Sequence, residues 1–95
     1  MALTVNNQLS LLYDLLDEQQ VDGYGQASEY QQIVRLVQSM MENDQLTDEQ
    51  LTQLLPEIYN YGKQGESTKD TTAHITSNRQ NIGNWTNIIQ QANLE

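Results

Sequence analysis

Residues 30–41 read Tyr30-Gln31-Gln32-Ile33-Val34-Arg35-Leu36-Val37-Gln38-Ser39-Met40-Met41, and the spacing of their apolar members decides the fold class. At ~100° per residue, Tyr30, Ile33, Val34, Leu36, Val37, Met40 and Met41 share one helix face within an arc of roughly 160°, wide enough to be buried against two neighbours. Ser28 and Gln31 form a Ser-x-x-Gln capping box in front of this stripe, which predicts a helix over residues 28–43. Met40 and Met41 read as core, although methionines also line adaptable partner grooves.

Upstream, Thr4 is a suitable N-cap, and Val5, Leu9, Leu12 and Leu16 follow helical spacing, predicting a first helix over 5–20. Gly23 and Gly25 interrupt the pattern between the two helices. Downstream, Thr47 and Gln50 make a second capping box, with Asp48 and Glu49 placed where the helix dipole favours negative charge. Leu51, Leu54, Leu55 and Ile58 then predict a helix over 48–62, kinked or split at Pro56 and closed by Gly62 and Gly65. Ile75, Ile82, Trp85, Ile89 and Ala92 define a fourth helix over 70–92. Its many asparagines are weak helix formers, so it must depend on docking through Ile82, Trp85 and Ile89, with Trp85 sealing one side. Short connections favour antiparallel neighbours, and the expected architecture is a single all-α domain, an up-down four-helix bundle over residues 1–95.

Composition restricts function. Thirteen acidic residues against four basic ones give a net charge of −9, which disfavours nucleic-acid backbones and anionic membranes as partners. No Cys is present, so no disulfide, thiolate metal site or thiol nucleophile is possible. No apolar run approaches the ~20 residues of a membrane span, and the N-terminus lacks the pattern of a secretory signal, so a cytoplasmic location is expected. The terminal Leu94-Glu95 is a common remnant of an expression tag and carries no weight.

The first connection holds the most suggestive chemistry. Glu18, Gln20, Asp22, Gly23 and Glu29 occupy positions 1, 3, 5, 6 and 12 of a calcium-loop frame, although only Asp22, Gly23 and Glu29 are the residue types such a loop uses. Glu18, Asp22 and Glu29 are therefore the candidate cation ligands, against the plainer reading of a solvated turn. Asp14, Asp17 and Glu18 crowd the carbonyl end of the first helix, where they oppose its dipole, and Asp14 and Glu18 repel one another. With Asp22 they form a candidate partner-binding surface, or simply a solvated acidic face. His74 lies one helical turn after Asp70, which could orient its imidazole; acid–base catalysis would further need a nucleophile or a pocket. Tyr13, Tyr24, Tyr30, Tyr59 and Tyr61 read as rim residues, with Tyr24 exposed between its glycines.

Several stretches together resemble the YtzH-like family of small Bacillus-type proteins: Gln8-Leu9 with Leu11-Leu12, Ser28-Glu29-Tyr30, Leu36 to Met40, Glu57-Ile58-Tyr59-Asn60-Tyr61, and the spacing from His74-Ile75 to Trp85. The resemblance spans most of the chain. It implies a small cytosolic protein and carries no active-site residue over. The resulting expectation is a non-enzymatic protein–protein interaction or regulatory module, without a cofactor, binding another protein or a second copy of itself. The contact surface expected is the acidic end or the exposed side of the Trp85 helix. The alternatives are divalent-cation binding in the 18–29 connection and mimicry of nucleic acid by the acidic surface.

Overall fold

A computed structural model describes residues 4–42 and 48–92. It contains four helices, α1 (Val5–Asp22), α2 (Ala27–Met41), α3 (Glu49–Ser67) and α4 (Thr71–Ala92). No strand occurs among the described residues.

Each helix starts and stops for local reasons. Thr4 caps α1 by accepting the Asn7 N–H at 3.1 Å. At its other end Gly23 adopts a left-handed φ of 76°, and its N–H donates to the Gln19 carbonyl, ending the helix two residues later than the spacing predicts. α2 corrects the capping-box expectation. It begins at Ala27 with Gln26 as N-cap, and no side chain satisfies its first amides. Ser28 lies inside the first turn, because that turn must already be wound to deliver Tyr30, which is fully buried, to the core. α3 is capped by Asp48, whose carboxylate accepts the Leu51 N–H at 3.2 Å; Thr47 of the second expected box lies outside the described residues. α4 is capped by Asp70, which accepts the Ala73 N–H at 3.0 Å.

Of the two expectations at Pro56, a kink or a split, the split does not occur, since α3 runs as one element through the exposed proline. Gly62 and Gly65 do not close α3, because both are buried in its interior and the helix continues to Ser67. Their reason is packing. A Cβ on Gly62 would come within 2.7 Å of the Val34 Cγ2, and a Cβ on Gly65 would collide with the ring of Tyr30. Glycine here removes the side chain that would hold α2 and α3 apart.

The helices close into a square, α2 packing most extensively along α3 and α1 along α4, while diagonal helices do not approach one another closely. Hydrogen bonds establish the alternating direction. Gln8 near the start of α1 donates to Ser39 near the end of α2 at 2.8 Å. At the opposite end, Tyr61 late in α3 donates to Gln19 late in α1 at 2.7 Å. The core is the one the stripes define: Leu9, Leu12 and Leu16; Tyr30, Ile33, Val37 and Met40; Leu51, Leu55 and Ile58; Ile75, Ile82, Trp85 and Ile89. Met41 is the exception, at 44% exposure. Its angular position lies within the stripe, but it is the last residue of α2, and angle carries no information on how far along the axis the neighbours extend.

Candidate functional site

Side chains from all four helices converge at the end of the bundle where α1 and α3 finish and α2 and α4 begin. Tyr61 is their centre. Its ring stacks on His74 at a centroid distance of 4.6 Å and 12° between planes, and meets Tyr30 and Trp85 edge-on at 5.6 and 5.5 Å. Its hydroxyl donates to Oε1 of Gln19, a fully buried amide. The His74 Nε2 lies 3.0 Å from the Tyr61 carbonyl oxygen, which can only accept, so that nitrogen carries the proton. Two buried polar atoms have no hydrogen-bond partner among the described residues here, Nε2 of Gln19 and the hydroxyl of Tyr30. Burial raises the pKa of both phenols, and the neighbouring Tyr30 raises that of Tyr61 further.

From this cluster an open groove runs along the seam between α3 and α4. It consists of two adjoining cavities of about 380 Å³ and 240 Å³ that share Glu57, Asn81 and Trp85. One wall is a stripe on α3, Gln50, Gln53, Glu57, Asn60 and Gln64, at alternating spacings of three and four that keep all five on one face. The other wall carries Asn78, Asn81, Asn84 and Asn87 of α4. Trp85 forms the floor, 4% exposed, and its indole N–H donates to Oε1 of Glu57 at 3.2 Å. Asn81 donates to Asn78, and Asn78 to the His74 carbonyl. The amides of Gln50, Gln53, Asn60, Gln64, Asn84 and Asn87 make no hydrogen bond among the described residues. The groove thus offers many unengaged donors and acceptors and one carboxylate.

The residues singled out from sequence are placed differently. α1 remains helical through Asp22, so Glu18, Gln20 and Asp22 belong to a helix and the connection is only Gly23–Gln26. Glu18 and Asp22 thus lie one turn apart on that helix with Gln20 turned away, so the twelve-residue calcium-loop frame is not formed as a loop. No group of three or more His, Asp or Glu residues is arranged to hold a metal ion among the described residues. Asp14, Glu18 and Asp22 are exposed and Asp17 half-buried on α1. An Arg79 Nη2 lies 3.9 Å from where a Gly23 Cβ would stand, near the carbonyl end of α1. Asp70 is spent on capping α4, while His74 bonds to Tyr61. Tyr24 is exposed, at 54%, as expected, but Tyr30 and Tyr61 are buried.

Sequence reasoning missed both the cluster and the groove. Gln19 was visible as the continuation of the Leu9, Leu12, Leu16 stripe, where a polar residue signals a buried hydrogen bond. The groove was visible as an amide stripe at heptad spacing on the face of α3 away from its leucines.

These features define a small antiparallel four-helix bundle with a polar lateral groove. The chain belongs to the YtzH-like protein family, whose profile matches residues 3–89. It is 33% identical over 85 residues to a Bacillus subtilis (strain 168) protein named "Uncharacterized protein YtzH", an alignment covering 90% of this chain and 91% of that one. No solved structure matches the chain. Among the described residues, no helix is long and apolar enough to cross a membrane.

Proposed function

We propose that this protein is a non-enzymatic binding module of the bacterial cytoplasm that engages a protein partner through the α3–α4 face. One observation carries the reading: the unengaged amides lining an open groove beside a fixed tryptophan. Polar side chains left without intramolecular partners are available to a ligand, and the helical backbone that carries them needs no further ordering. The acidic residues Asp14, Asp17, Glu18 and Asp22 form the competing surface, where Asp14 lines a smaller cavity of about 210 Å³ with Ser10, Tyr13, Ile89 and Gln90.

Site-specific photocrosslinking in a bacterial cell separates the two faces. A photoreactive residue at Gln53 or Asn84 is expected to give a discrete adduct, and one at Asp14 or Asp17 none. Adducts from the α1 positions alone would move the contact surface to the acidic face. Absence of any adduct from all four positions would remove the binding-module reading.

A further inference from the structure

Resting on that reading, we infer that the α3–α4 groove receives an extended peptide segment carrying one basic residue near its middle. The stripe from Gln50 to Gln64 rises ~21 Å at 1.5 Å per residue, the length of about six residues of extended chain. Primary amides both donate and accept, as peptide groups do, so Gln53, Asn60, Asn84 and Asn87 can pair with a backbone whose N–H and C=O groups are free. An extended segment presents those groups, whereas a helix satisfies its own and needs an apolar stripe to dock upon. Leu54 and Ile88 are the groove's only aliphatic lining residues among those described, too few for such a stripe.

Charge specifies the centre of the ligand. Glu57 is the single carboxylate lining the groove among the described residues and lies at the junction of its two halves. The Trp85 indole holds one of its oxygens in place, leaving the other to face a Lys or Arg side chain. The net charge of −9 steers a cationic segment towards the protein and repels nucleic acid, which would also meet no Lys or Arg along the groove. A sugar requires an open aromatic face to stack on, and Trp85 offers almost none at 4% exposure.

The test is an NMR titration of the full chain labelled with ¹⁵N. The probes are a pool of blocked hexapeptides with lysine at the fourth position and small or polar residues elsewhere, the same pool with glutamate there, and cellotetraose. The expected result is progressive shifts of the Trp85 indole N–H and the Asn84, Asn87 and Gln53 side-chain amides, with the lysine pool binding more tightly. Glu57→Gln keeps an acceptor for Trp85 and is expected to weaken lysine-pool binding about five-fold, as for a partly exposed ion pair. Asn84→Ala with Asn87→Ala favours helix formation, so the fold persists, and is expected to weaken both pools by about ten-fold. No groove shifts at millimolar peptide, equal response to both pools, or response to cellotetraose alone would each overturn the inference. Loss of peptide binding with the Gln53 and Asn84 photoadducts retained would leave the binding module standing with a different ligand; loss of both would remove the two together.

Discussion

Tyr30 and Tyr61 are equally inaccessible, yet their hydroxyls have opposite consequences. Tyr61 satisfies Gln19, so Tyr61→Phe strands a buried amide oxygen and is expected to cost about 1–3 kcal/mol. The Tyr30 hydroxyl is desolvated without recompense, so Tyr30→Phe is expected to leave stability unchanged or raise it by up to about 1 kcal/mol. Urea unfolding of the two variants checks the contrast, and equal losses would refute it. Sequence gave no way to separate these residues. Both are tyrosines on helical faces, and the difference is a partner 42 positions away in the chain. Tyr24 was legible because its two flanking glycines already place it in a turn. His74 was misjudged for the same reason as Tyr61, since its hydrogen bond reaches across to another helix instead of back to Asp70.

At the scale of elements, periodicity located all four helices, and capping chemistry was the weaker guide. Thr4 behaves as expected, but α2 starts without any side-chain cap, because burial of Tyr30 and not the Ser28 hydroxyl fixes where winding begins. That leaves an improvable position: Gln26→Asp is expected to stabilise the protein by about 1 kcal/mol through a new bond to the first-turn amides. Thermal unfolding of the single variant reads this directly, and no gain would mean that local geometry bars the cap. Pro56 is a second internal cost. It is exposed inside α3, where a proline is about 3 kcal/mol less favourable than alanine, so Pro56→Ala is expected to raise stability by about 1–3 kcal/mol. A gain accompanied by loss of the Gln53 and Asn84 photoadducts would show that the proline shapes the groove. Gly62 and Gly65 misled as helix terminators because sequence cannot distinguish a glycine that ends a helix from one that lets another helix come close.

The whole molecule carries its polar network at one end, and alkaline pH tests that network globally. Both buried phenols have folded pKa values raised above the usual 10.0, burial being the main cause. An unfolded tyrosine ionises near 10 while the folded one stays protonated, so the stability these groups provide is intact below that pH and declines as pH rises beyond it. For Tyr61 the slope is expected to approach about 1.4 kcal/mol per pH unit above pH 10, with Tyr30 acting in the same direction. Urea unfolding between pH 8 and 11 measures it, and Tyr61→Phe should make the decline shallower; a flat profile would show the phenols to be accessible. Architecture at this scale was largely readable, since four stripes and short connections leave few alternatives to an antiparallel bundle. The groove was not, because core-directed reading discards polar stripes as solvated surface. The contact between Gly65 and Tyr30 reaches beyond this one chain. Among relatives the two positions cannot drift separately: a larger residue at the first demands a smaller ring, or none, at the second. Their substitutions should therefore occur as a correlated pair, a signature that a deep set of family sequences would reveal without any measurement on the protein.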